Sequence, residues 1–374
     1  MPTRRGSARV IGPVLAVVLV LVVVTLIVVP RVTGGGGASS QHLTDVRVLA
    51  GSETQAYLTD PAVARRLEEL HYRLRVDTAG SQEIVGRDLK DYDIALPSNS
   101  PQADQIRRDK HITRQQYVLF FTPIAIATFQ QLVPPLTTAG VVTANGPVSY
   151  FDMGRYLGLV GQDTRWSALV DPAVYQNPGY LLIKSTDVRS SNSAAVYLAL
   201  ASYVANKNSI VSDGGTADEL GTQLAKLFTR QGYTDPSTEG PFNDYLTIGI
   251  GKTPLVMIYE SQFRARQIAN DGSIRSDRVL LYPSPTIYAK HTAVPLTDDG
   301  EAVARLLASD PQLQVAAVRA GFRVSNSAGP AGNAGGGGVA PPPQLANVVD
   351  PPTQDISTRM ITKIDAAYNG QGPG

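Results

Sequence analysis

The sequence predicts an α/β body held behind one membrane-spanning helix, and three observations carry that prediction. Strand-like and helical apolar patterns alternate from Val46 onward. Leu255–Tyr259 is an unbroken apolar run of the kind that parallel sheets bury on both faces. Ahead of everything lie twenty residues without a charge, bounded by Val10 and Val29.

As a helix that first stretch is roughly 30 Å long, about the hydrocarbon thickness of a bilayer. Arg4, Arg5 and Arg9 precede it and only Arg31 follows closely, which places residues 1–9 in the cytoplasm, a transmembrane helix at 10–30 and the rest outside. The competing reading is a cleaved leader, whose apolar region is typically shorter. Residues 31–43, with Gly34 to Gly37, form a flexible linker.

Residues 46–50 form the first strand, ended by Gly51 and Ser52. Asp60 and Pro61 then open a helix that buries Val63, Leu67 and Leu70. Leu74 and Val76 alternate as a second strand, interrupted by Gly80 and Ser81, and residues 93–96 form a third. Such a βαβαβ order implies a parallel, doubly wound sheet. Further on, Leu181, Leu182, Ile183 and Lys184 read as a strand. Ser191 caps a helix with Val196, Leu200, Tyr203 and Val204 on one face, and Thr216 with Glu219 has capping-box spacing. Asp298 with Glu301, then Asp310 with Pro311, open two late helices, the second ended by Gly321. Residues 325–352 are a low-complexity Gly/Pro linker. In residues 353–374 a small amphipathic helix carries Ile356, Met360, Ile361 and Ile364 and docks on the body or on a partner.

Hydrophobic residues make up 43% and charged residues 17% of the 374, enough to bury a sizeable core. Without the three N-terminal arginines the balance is 30 basic to 32 acidic residues, about −2, which offers nothing to nucleic acid. Cysteine is absent, so disulfides, thiolate metal sites and a lipidated cysteine anchor are all excluded. The four histidines, His42, His71, His111 and His291, show no paired metal spacing and read as surface or packing residues. Gly251, Lys252 and Thr253 imitate the end of a phosphate loop, but Leu246 stands where its first glycine belongs. No Gly-x-Ser-x-Gly elbow exists, and neither a cofactor nor a metal is implied.

An ordered set of local patterns resembles the bacterial extracellular solute-binding proteins with the type 2 periplasmic-binding-protein fold. It comprises a strand followed by Gly51, Ser52 and Glu53; a strand ending in Gly80 and Ser81; and Trp166 with Leu169. Ser190, Ser191, Asn192 and Ser193 then open a helix; Leu281 to Pro285 and His291 to Leu296 follow; and Ala320 to Arg323 end a helix after them. The resemblance covers about residues 46–323 and implies two α/β lobes joined by crossing strands, with ligand between them. Lobe 1 is expected at 44–129 and 278–324, and lobe 2 at 130–277.

Open α/β sheets bind ligands beyond the carboxyl ends of their strands. Ser52, Ser81, Ser191 and Asn192 are placed there, each joining a polar side chain to amides at a helix start. Their other role is to cap their own helices. Glu53 and Glu83 sit beside two of these starts and would occupy the positive helix ends, which disfavours a simple oxyanion receptor. Glu260 either meets a ligand amine at the hinge or pairs with Arg264 four residues on. Thr122, before Pro123, donates to ligand or ends a strand. Tyr150, Tyr156, Tyr259 and Tyr282 are candidate cleft walls, and Arg155 and Arg189 the best cations for a bound carboxylate. The expectation is a non-enzymatic, membrane-tethered extracytoplasmic protein closing two lobes on a small polar ligand. The alternative is a scaffold or sensor with a degenerate cleft that binds a cell-envelope protein.

Overall fold

The structure is a computed structural model that describes residues 42–146, 148–325, 339 and 343–370. The expected transmembrane helix, its cytoplasmic flank and most of both linkers lie outside those residues. Among the described residues no helix is long and apolar enough to cross a membrane. Leu43–Gly374 forms one compact unit.

The first third of the chain alternates as the sequence predicts. Strand β1 (Thr44–Gly51) leads through a 3-10 turn (Ser52–Thr54) into α1 (Gln55–Leu58) and α2 (Pro61–Glu69). The Asp60 carboxylate accepts from the Ala62 amide at 2.7 Å and caps α2. Then come β2 (Tyr72–Ala79), α3 (Ser81–Gly86), β3 (Ile94–Leu96) and α4 (Ser100–Asp109). β1 pairs in parallel with both β2 and β3. Val46, Val48, Val63 and Leu67 pack on one face of this sheet, and Leu49, Ile84 and Ile106 on the other, so it is wound on both sides.

The thirteen-residue strand β4 (Tyr117–Phe129) carries the chain into a second core. There α5 (Val133–Thr138), β5 (Val142–Asn145), β6 (Val148–Asp152), α6 (Met153–Gly161), α7 (Asn192–Ala205), α8 (Gly214–Leu224), α9 (Lys226–Thr229) and α10 (Glu239–Thr247) follow. Next are β7 (Leu255–Tyr259), α11 (Glu260–Ala269), β8 (Arg278–Ser284) and β9 (Tyr288–Pro295). The last elements are α12 (Asp298–Ser309), α13 (Pro311–Arg319) and α14 (Gln354–Tyr368).

Among the described residues the strands form one nine-stranded sheet in the order β2-β1-β3-β9-β4-β8-β6-β5, with β7 added on β4. β4 is the spine. Its first half pairs with β9 from Tyr117 to Pro123, and its second half with β7 and β8 from Ile124 to Phe129. β9 continues past β4 to pair with β3. The two cores are thus joined by crossing strands, and the first is completed by α12 and α13 through Val303, Leu307, Leu313 and Ala317.

Four local expectations are corrected. β7 is buried on both faces as its composition suggests, but it runs antiparallel to β4, because its neighbour is a crossing strand rather than a βαβ partner. Leu181 to Lys184 form no strand; Lys184 alone bridges Val256, and the chain leaves the sheet at Ser185, whose amide goes to Gln231. α8 is capped by Asp213, which takes the Thr216 amide at 2.9 Å, so the Thr216 and Glu219 spacing opens nothing. α12 is capped by Thr297, one residue before Asp298. Asp310 does cap α13, and Gly321 does adopt positive φ, +88°.

α14 folds back onto the second core. Met360 and Ile364 are fully buried there, and Gly221 on α8 lies so close that an added Cβ would stand 2.8 Å from the Met360 carbonyl oxygen. Arg359 donates to both Asp218 carboxylate oxygens at 3.0 and 2.7 Å. At its other end Gln354 donates to Gln82 of α3 at 2.6 Å, so the helix touches both halves.

Candidate functional site

Three helix starts from the two halves, two of them directly after strands, meet at one place. Ser52, Glu53, Ser81, Ser191, Asn192 and Tyr259 line a small cavity of about 10 Å³, room for about one water. Ser52 and Glu53 come from the turn after β1, Ser81 opens α3 after β2, and Ser191 and Asn192 open α7. The sequence-predicted serines and asparagine are therefore brought together. Gly80 permits the approach: a Cβ there would lie 2.6 Å from the Ser190 carbonyl oxygen.

The walls are polar and mutually bonded. Asn99, which caps α4 through the Gln102 amide at 3.0 Å, donates its side-chain amide to Asn192 across the gap. Asn192 in turn donates to the Tyr259 hydroxyl at 2.9 Å. Ser191 sits at the N-cap of α7 but makes no side-chain capping bond; its hydroxyl meets that of Ser193 at 3.0 Å, and Ser193 meets Thr186 at 2.8 Å. On the opposite wall the Ser81 hydroxyl lies 2.6 Å from that of Ser98, and Ser98 donates to the Glu53 carboxylate.

Glu53 dominates the electrostatics. Its side chain is 11% exposed, and burial raises its pKa from 4.5 to about 7. Behind it, His291 of β9 is fully buried among the rings of Phe120, Phe322 and Tyr259, with Nδ1 4.0 Å from Glu53 Oε1. Burial lowers the His291 pKa to about 3, so the imidazole is neutral, and neither ring nitrogen has a hydrogen-bond partner among the described residues. His291 is a packing residue, as expected, though one that faces the site's carboxylate.

Ser52, Glu53, Ser237 and Thr238 also line a neighbouring groove of about 420 Å³. Its farther walls include Phe242, Phe322, Glu239, Arg266 and Asp271. Arg266 is held by Asp271 at 3.0 Å. That volume falls within the range of small-molecule sites.

Two predicted site residues are elsewhere. Glu260 is fully buried at the start of α11, where Arg323 grips it with two bonds of 2.7 Å and Tyr282 donates at 2.5 Å. It lines neither cavity and ties the start of α11 to the segment after α13, with the charge of buried Arg264 nearby. Thr122 lies in the middle of β4, where its Oγ1 accepts the Ser261 amide at 3.0 Å and caps the start of α11. Of the four tyrosines Tyr259 alone lines the small cavity, while Tyr156 is engaged with Tyr197 and the Ile183 amide. Arg189 is committed to Asp187 and Asp365, and Arg155 to the Ala139 carbonyl. Ser98, Asn99, Ser237 and Thr238 were not singled out from the sequence. For Asn99 a signal was present, since Asn99-Ser100-Pro101 is a helix-start pattern directly after a strand.

No family model matches the chain, and no curated protein matches it either. Solved structures do. A periplasmic thiamin binding protein superposes with a TM-score of 0.57 at 13% identity, over 91% of this chain and 99% of the other. Iron-bound HitA from Pseudomonas aeruginosa gives 0.51 at 9%, over 88% and 100%. AfuA from Actinobacillus pleuropneumoniae, with exogenous fructose-6-phosphate bound, gives 0.51 at 11%, over 87% and 97%. Identities this low speak to architecture alone, and with the crossing strands and the cleft between two cores they show that this chain has the type 2 periplasmic-binding-protein fold.

Proposed function

We propose that this chain is a non-enzymatic solute-binding protein that closes its two lobes on a small polar ligand. In this reading it works on the extracytoplasmic side, tethered through residues 10–29. The observation that carries it is the convergence of Ser52, Ser81, Ser191 and Asn192, three helix starts far apart in sequence, on one cavity that shares a wall with a groove. A hydrolytic reading needs a nucleophile facing substrate. Ser98 has Glu53 as an acceptor, but Ser98 is fully buried and lines neither cavity, so no substrate carbonyl reaches its hydroxyl.

The test is thermal unfolding of the full-length chain in detergent against a broad panel of metabolites and metal oxyanions. A true ligand at about 100 times its Kd stabilises by about 2.7 kcal/mol. A flat melting temperature across the panel, with nothing co-purifying, overturns the reading.

One observation favours a second reading, a scaffold or sensor with a degenerate cleft. The walls already bond each other through Asn99, Asn192 and Tyr259 and leave about 10 Å³ between them. For that role the partner surface must be other than the apolar face of α14, which is buried on α8. Affinity capture of a cell-envelope protein by a chain silent to the ligand panel would select it.

A further inference from the structure

We propose that the ligand is a small organic cation whose positive group is held by Glu53; this rests on the solute-binding reading. Glu53 is the one ionisable side chain common to the inner cavity and the groove. It stands in the turn after β1, bonded through Ser98 to Ser81 at the neighbouring helix start, so its carboxylate is the group an incoming anion would meet. Farther out the groove adds Glu239 and Asp271 against Arg266, which is spent on Asp271. The field in the groove is therefore negative.

What Glu53 lacks is a counter-ion. Among the described ion pairs it has His291 alone, at 4.0 Å, and that imidazole is neutral. The other groups facing it are the Ser98 hydroxyl and the Tyr259 phenol, whose pKa burial raises well above its usual value. An ammonium or amidinium entering from the groove supplies the missing charge and gains a largely desolvated partner. Phe242 and Phe322 give its apolar part a wall to cover. A phosphate or sulfate would instead face the carboxylate it must displace, which costs it the site.

Proton linkage follows. With Glu53 titrating at about 7, a cation binds the ionised form and expels the proton at lower pH.

The experiment is calorimetric titration of the full-length chain in detergent with choline, putrescine and arginine as cations, glucose as a neutral probe, and phosphate and sulfate as anions. It is run at pH 6 and pH 8. At least one cation binds, about tenfold more tightly at pH 8 than at pH 6, with proton uptake by the buffer at pH 6. Glu53→Gln, which keeps an acceptor for Ser98, weakens that cation about 100-fold. The pH profile of the unaltered chain needs no variant, so the proposal survives a misfolded one as a testable claim. Binding of glucose, phosphate or sulfate with no cation response overturns the charge assignment and leaves the receptor reading standing. So does a Glu53→Gln chain with unchanged cation affinity. Silence to all six probes overturns the cation assignment, and silence to the wider panel as well removes the receptor reading with it.

Discussion

Replacing Glu53 by Gln should change the shape of the stability-versus-pH curve, because Glu53 and His291 pull it in opposite directions. The Glu53 pKa is raised from 4.5 to about 7, so the folded state holds the extra proton between those values and stability falls as pH rises through them. The His291 pKa is lowered from 6.5 to about 3, so the unfolded state holds the extra proton there and stability is lost as pH falls below 6.5. Each contributes about 1.4 kcal/mol per pH unit, with opposite sign. Between pH 4.5 and 6.5 the two nearly cancel in the unaltered chain. In Glu53→Gln the histidine is left alone, and stability climbs by about 1.4 kcal/mol per unit across that window. The variant minus wild-type difference then levels off above pH 7 after a total rise of at most about 3 kcal/mol, the 11% exposure of Glu53 keeping it below the full value. Urea unfolding followed by the fluorescence of Trp166, the single tryptophan and 1% exposed, measures this directly. Every other titrating group is common to both curves. A difference curve flat from pH 4.5 to 7 would refute the burial of Glu53 on which the site's chemistry is built.

Arg323→Met removes both guanidinium bonds to the buried Glu260 carboxylate, and should destabilise by about 3–5 kcal/mol. Pairing it with Glu260→Gln recovers a large part of that loss, and a single variant within about 1 kcal/mol of wild type in urea unfolding contradicts the ion-pair assignment. Gly221→Ala drives a methyl against the Met360 carbonyl, so α14 should lift from α8 and become cleavable by added protease. Unchanged resistance to proteolysis would show that the helix packs some other way.

Much of the scaffold is written in local chemistry. Asp60 and Asp310 announce helix starts because a short acceptor beside an apolar period has one good use there. The turns carrying Ser52, Ser81 and Ser191 were readable for the same reason, and their convergence followed from the order of strands. What local pattern does not hold is which partner arrives from far along the chain. Glu260 has Arg264 at helical spacing, and the structure adds Arg323, 63 residues away, because α13 ends against the start of α11. Glu53 was visible as an acid at a helix start; its raised pKa comes from burial, which residues far along the chain such as Ser98 and His291 of β9 complete around it. β7 misled in direction because burial on both faces has the same composition whichever way the neighbour runs.

The docking of α14 ties the two lobes together. The helix is bonded at its start to Gln82 in the first lobe, next to the cavity's Ser81, and five residues on to Asp218 in the second. Any swing of the lobes must either snap the glutamine buckle or peel the helix from Gly221. In the solute-binding reading proposed above, that makes the chain's own tail a clasp on the cleft, and trimming it would alter a ligand's dwell time more than its fit.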